Sequence, residues 1–253
     1  MASTALITGA SSGIGLELAK IFAREGYDLV LVARRGDRLE ALAGELRASG
    51  RSVHTIAKDL SLRESVSEIA AELDRSGIAI DVLVNNAGTA TFGHFVDHDW
   101  AKDRETIDLN IAAPTELTHR LLPGMVKRGK GRILFVASTA GFQGLPYISV
   151  YAASKAYLLS LSDALADELR GTGVTVTALC PGPTDSEFAV RSGSEHSGIF
   201  ARGTMTSAAV AEIGYQACMR GRRIVVAGVF NKMLVAGSKF IPRSWATFIG
   251  RLM

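Results

Sequence analysis

Tyr151 and Lys155 stand four residues apart in the stretch Tyr151-Ala152-Ala153-Ser154-Lys155, and shortly before them Ser138 closes the apolar run Val136-Ala137-Ser138. Residues four apart on a helix share a face, so the phenol and the ammonium can meet near the mouth of that run. A free tyrosine titrates near 10 and is a poor proton donor or acceptor at neutral pH. An ammonium about 4 Å away contributes ~4 kcal/mol at an effective dielectric of about 20, roughly three pK units, which brings the phenol close to 7. General acid-base catalysis works best there. The same spacing also occurs in ordinary surface pairs.

A second group of residues has the chemistry of anion binding. Thr8-Gly9-Ala10-Ser11-Ser12-Gly13-Ile14-Gly15 follows an apolar run and leads into an amphipathic stretch that starts near Ile14. Glycines at such a turn allow a tight bend, close approach of backbone to a pyrophosphate, and close packing of helix on strand. The spacing differs from Gly-x-Gly-x-x-Gly, and a glycine turn between strand and helix can be merely structural. The second apolar run ends in Leu31-Val32-Ala33-Arg34-Arg35. An NAD site places an Asp or Glu there against the ribose 2′-hydroxyl. Here Ala33 holds that place and two arginines follow, as a site for a 2′-phosphate requires. NADP is therefore expected over NAD, the alternative being two surface arginines ahead of a helix.

The elements that must position these residues are legible as seven short runs of β-branched and aliphatic residues: Thr4 to Thr8, Leu29 to Ala33, Val53 to Ala57, Val82 to Asn85, Ile133 to Ala137, Val174 to Leu179 and Ile224 to Ala227. Stretches of helical periodicity separate most of them, among them Ile14, Leu18, Ile21 and Phe22, and Val66, Ile69, Ala70 and Leu73. Strands apolar on both faces and alternating with helices predict an α/β fold, a doubly wound seven-stranded parallel sheet in a single domain. Ligands bind beyond the carboxyl ends of such strands, which is where the unusual residues lie. The catalytic domain is expected over residues 1–228, with 229–253 as an apolar and basic extension.

Composition agrees. The 253 residues are 47% hydrophobic and 21% charged, with 28 basic against 25 acidic residues and a net charge of +3. That balance does not argue for nucleic acid, and Lys127, Arg128, Lys130 and Arg132 have no interleaved aromatics. Only Cys180 and Cys218 are present, which excludes a disulfide framework. The lack of a charged leader or a run of about 18 apolar residues predicts a cytoplasmic protein.

Taken together, Gly9-x-x-x-Gly13-x-Gly15, Asp59, Asn85-Asn86-Ala87-Gly88, Asn110, Ser138, Tyr151-x-x-x-Lys155 and Pro181-Gly182 resemble, in order and spacing, the short-chain dehydrogenase/reductase family over residues 3 to about 188. The resemblance implies that Tyr151 gives a proton to a carbonyl oxygen, or takes one from an alcohol, while a nicotinamide exchanges hydride with carbon. Ser138 would hold the same oxygen. Lys155 would lower the Tyr151 pKa and bind the nicotinamide ribose, and Asn110 would anchor a water leading from Lys155 to solvent. Ser11, Ser12 and Ile14 belong to the phosphate loop. Asp59 would accept from the adenine amino group beside Leu60, and Asn86, Ala87 and Gly88 would line the adenosine through their backbone. Beyond Pro181 and Gly182, Ser186 stands where the family often has a carboxamide-binding Thr, and Thr184 would contribute its backbone. A non-catalytic dinucleotide-binding regulator is the alternative function, against which the intact Ser138, Tyr151 and Lys155 speak.

Substrate choice is expected in 139–150, with Phe142, Gln143, Leu145, Pro146 and Tyr147, and in 183–205, with Phe188, Ile199 and Phe200; these suit a hydrophobic carbonyl or alcohol. His94 and His98 beside Asp97 and Asp99 read as capping and solvent residues, and no metal is expected. Asp163, Asp167 and Glu168 read as the solvated or subunit-facing side of the Tyr151 helix. The extension, with Phe230, Leu234, Val235, Phe240, Ile241, Trp245, Phe248, Ile249 and Leu252 among Lys232, Lys239, Arg243 and Arg251, is expected to dock on the body or a partner subunit of a homodimer or homotetramer, in preference to a membrane surface.

Overall fold

The runs of aliphatic residues become strands buried on both faces. The computed structural model describes residues 2–193, 204–238 and 247. It contains β1 (Thr4–Thr8), β2 (Asp28–Ala33), β3 (Val53–Ala57), β4 (Val82–Asn85), β5 (Gly131–Val136), β6 (Val174–Cys180), β7 (Thr184–Asp185), β8 (Met205–Thr206) and β9 (Ile224–Val226). Seven form one sheet in the order β3-β2-β1-β4-β5-β6-β9, parallel at every pairing, while β7 and β8 pair only with each other.

The period of two along the strands sorts side chains between two cores. Ala5, Ile7, Leu29, Leu31 and Ala33 join one, and Leu6, Val30, Val32 and Leu83 join the other. The first core is covered by helices α1 (Gly13–Arg24) and α2 (Gly36–Ala48) and by the later helix of residues 207–219. Fully buried Phe22 sits at its centre, edge-on to Tyr27 and Tyr215 with ring centres 5.1 Å apart in both pairs. Burial of one such ring stabilises by about 1.5–3 kcal/mol.

The second core is covered by α3 (Ser65–Arg75), α5 (Ala113–Lys127) and α6 (Ser149–Glu168), with α4 (Trp100–Ile107) running up to a π turn at Asp108–Ala112. Among the described residues the further helices are α7 (Phe188–Ser192), α8 (Ser207–Met219) and α9 (Val229–Ser238). This is the expected doubly wound sheet with helices on both faces. Connections from β1 and β4 diverge at their carboxyl ends, leaving a crevice at the point where strand order reverses.

At the start of the extension, α9 buries Val235 and sets Asn231 beside Gly182, while Val229, Phe230, Met233 and Leu234 are exposed. Phe240, Ile241, Trp245, Phe248, Ile249, Leu252, Lys239, Arg243 and Arg251 lie outside the described residues, as do Ile199 and Phe200. No helix among the described residues is long and apolar enough to cross a membrane.

Candidate active site

The glycine loop is shaped by backbone that other residues tolerate poorly. Gly9 and Gly13 have φ of 68° and 58°, the left-handed region that disfavours a Cβ. A side chain on Gly15 would meet the Gly9 carbonyl oxygen at 2.4 Å, so this glycine packs behind the loop rather than facing the cleft. Thr8 bolts the loop to the end of β4: its Oγ1 donates to the Val84 carbonyl at 3.2 Å and accepts from the amides of Asn86 and Ala87 at 2.9 and 3.0 Å. The Asn86 side chain returns the link, donating to the Thr8 carbonyl at 2.8 Å. Ser12 precedes α1 without making a side-chain cap. The first-turn amides of α1 thus have no hydroxyl from that position, and helix start and bare glycines together form a cradle for an anion.

Beside the cradle lies a basic corner. Arg35 spans from α2 to the loop, with Nη2 donating to Ser12 Oγ at 2.9 Å and Ser11 Oγ at 3.1 Å. Arg34 pairs with Glu105 at 2.9 Å and lies 3.6 Å from Asp59. Burial pushes the Asp59 carboxyl upward, but hydrogen bonds from Ser61 and the charge of Arg34 outweigh it and leave the group below its ordinary value.

At the other end, α6 carries Tyr151 and Lys155 past Ser138. Lys155 is buried; its Nζ donates to the Val136 carbonyl at 2.8 Å and lies 5.5 Å from the centre of the Tyr151 ring. Spacing alone would bring the phenol toward neutrality. The larger effect is burial, which pushes it up to about 12, while a hydrogen bond with Ser138 pulls the other way. Burial also lowers Lys155 to about 8. The Tyr151 ring packs against Phe188, with ring centres 5.4 Å apart.

Asn110 stands in the π turn, fully buried behind the cleft. Its Nδ2 donates to the Thr89 carbonyl at 2.9 Å and to Ser154 Oγ at 3.0 Å, and its Oδ1 accepts from the Thr89 amide at 3.0 Å. Ser154 in turn donates to the Tyr151 carbonyl at 2.7 Å. Asn110 therefore staples the loop after β4 to the helix that carries Tyr151 and Lys155. π turns recur at functional sites, where they re-aim one side chain.

One cleft of about 660 Å³ joins the two ends, and every nominated residue except Gly15 and Asn110 lines it, including Leu60, Pro181, Gly182, Thr184 and Ser186. Ser186 also packs across the loop, its Cβ lying 3.3 Å from where a Gly13 side chain would begin. Of the apolar residues assigned to substrate choice, Leu145 and Phe188 reach the cleft, joined by Ile148, whereas Phe142 packs into the second core and Tyr147 pairs with Phe92 and His94. Thr8, Ser154, Asn231 and Glu187 are additions that spacing did not reveal. His98 is buried against Asp103 at 3.0 Å and Asp99 caps α4; no cluster able to hold a metal occurs among the described residues. Asp163 and Asp167 face solvent and pair with Arg223.

The anion cradle and the buried Ser-Tyr-Lys group thus lie at the two ends of one cleft, at the carboxyl ends of a parallel sheet. Comparisons with known proteins identify the family. The sequence profile of the short chain dehydrogenase family matches residues 3–197, and the chain belongs to that family. It is 38% identical over 179 residues to the ketoacyl reductase HetN of Nostoc sp., a match covering 71% of this chain and 62% of that one, just under two thirds of the relative's length. Among solved structures, a short-chain dehydrogenase from Sphingobium yanoikuyae in complex with NADPH superposes with a TM-score of 0.83 at 33% identity, covering 96% of this chain and 97% of the other. The bulky-bulky ketone specific alcohol dehydrogenase from Comamonas testosteroni gives a TM-score of 0.79 at 30% identity, covering 96% of each chain.

Proposed function

We propose that this protein is an NADP(H)-dependent oxidoreductase that interconverts a hydrophobic ketone or aldehyde and the matching alcohol. The observation that carries the reading is the convergence of Ser138, Tyr151 and Lys155 on one cleft continuous with the glycine cradle. The glycine loop and the start of α1 hold the diphosphate, Arg34 and Arg35 hold a 2′-phosphate, and Asp59 with the loop after β4 flanks the adenosine. A bound nicotinamide supplies or accepts the hydride.

The protein's own groups handle the oxygen. Ser138, whose Oγ accepts from the Ala140 amide at 3.1 Å, has its hydroxyl fixed at the rim of the cleft. It orients the carbonyl oxygen toward Tyr151, which gives up its proton as that oxygen gains charge. A cationic Lys155 beside the phenol favours the tyrosinate left behind. Phe188, Leu145 and Ile148 exclude water and favour an apolar substituent on the carbonyl carbon. The Comamonas neighbour's specificity for bulky ketones and the NADPH held by the Sphingobium neighbour support the substrate class and the cofactor.

The cofactor assignment is tested at Arg34. Charge-assisted bonds to a phosphate are worth about 1.5–3 kcal/mol, or about tenfold to a hundredfold in binding. Arg34→Ala is expected to raise KM for NADPH by about that factor while leaving KM for NADH within about twofold, measured by steady-state kinetics. Equal changes for the two cofactors would remove the assignment.

A further inference from the structure

We propose that Glu187 is a specificity-determining residue that competes with the cofactor's 2′-phosphate for Arg35 and Arg38. The proposal rests on the NADP reading above and adds an internal rival to it.

Glu187 precedes α7, on the segment that follows β6 and carries Phe188 against the catalytic tyrosine. It reaches across the mouth of the cleft to residues 152 and 149 positions earlier: Arg35 Nη1 donates to one carboxylate oxygen at 2.8 Å and Arg38 Nη1 to the other at 2.5 Å. Those two arginines hold the Glu187 carboxyl down to about 2, so it is anionic at any working pH. The rest of the Arg35 guanidinium is taken by Ser11 and Ser12 of the glycine loop. One carboxylate thereby ties together the start of α2, the phosphate cradle and the substrate-side segment.

The other arginine of the corner is neutralised differently. Arg34 pairs with Glu105 and Asp59. Glu187 is set apart by coming from the opposite bank of the cleft, so its bond to Arg35 is one that opening the cleft must break. A phosphate ester arriving at Arg35 brings a charge of nearly −2 to a guanidinium already shared with a carboxylate. Two anions on one cation repel, and the bidentate geometry that suits phosphate is available only when Glu187 withdraws. A cofactor with a plain 2′-hydroxyl leaves the bridge intact. Binding of NADP thus unfastens the segment bearing Phe188, and binding of NAD does not.

Calorimetric titration of the full chain with 2′,5′-ADP and with 5′-AMP separates the possibilities. Glu187→Gln is expected to lower Kd for 2′,5′-ADP by about threefold to tenfold, the size of a partly exposed charge contact, and to leave 5′-AMP within about twofold. The gain should shrink as salt is raised. No change for either fragment, or an equal change for both, overturns the competition and reduces Glu187 to a structural tie. Glu187→Gln protein that still binds the two fragments equally would instead sink the NADP reading, and the proposal with it.

Discussion

Tyr151→Phe is expected to lower kcat for carbonyl reduction by about 10²–10⁴-fold, the usual contribution of a positioned proton donor. The substitution removes one oxygen and keeps the ring that packs on Phe188, so the melting temperature and the KM for NADPH should stay near wild type. Steady-state kinetics beside a thermal melt distinguishes lost chemistry from lost structure. Turnover at the wild-type rate would sink the mechanism. The titration of the phenol adds a direction: burial raises it to about 12, so Tyr151 holds its proton through neutral pH and stands ready as an acid. Alcohol oxidation, which needs that proton removed first, should accelerate with rising pH, whereas carbonyl reduction should not.

Lys155→Met should reduce activity and raise stability together. Lys155 is buried, and that burial lowers its pKa to about 8 from an unfolded value of 10.5. Between those pH values the unfolded chain holds a proton that the folded chain has released, so stability rises with pH across the window. Below about 8 both states hold it and the penalty is fully present. A shift of this size is about 3 kcal/mol, partly offset in the variant by the orphaned Val136 carbonyl at about 1–2 kcal/mol. Denaturant unfolding should therefore find Lys155→Met more stable than wild type by about 1–2 kcal/mol at pH 7, with the gap closing toward pH 10. Turnover should fall by about 10²-fold or more. A stability difference independent of pH would mean that the ammonium is not the buried charge described here.

Much of this architecture is legible in sequence because parallel strands covered on both faces must be apolar throughout. β1, β3 and β4 fall on the expected runs, since each is bounded by polar or glycine residues at both ends. β7 and β8 are two residues long and present no run to read. At the site, the glycines and the Tyr-x-x-x-Lys pair are local patterns and survive folding unchanged. Asn110 needed a π turn to aim it, and nothing in Asp108-Leu109-Asn110-Ile111-Ala112 departs from helical periodicity. Ser154 carried a weak signal, a small hydroxyl three residues after Tyr151 on the same helix. Glu187 carried none, because the arginines it meets lie about 150 residues away and sequence spacing says nothing across that distance. The direction of the Tyr151 shift was also hidden. Spacing supplies the neighbouring charge but not the burial that outweighs it.

Hydride transfer itself can be followed with NADPH deuterated at C4, supplied as both epimers with a panel of hydrophobic ketones and aldehydes. Mass analysis of the alcohol products should find one deuterium on the carbinol carbon from one epimer alone in wild type, formed about 10²–10⁴-fold more slowly by Tyr151→Phe. Alcohol lacking deuterium with either epimer, or cofactor bound but unconsumed across the whole panel, would contradict the account.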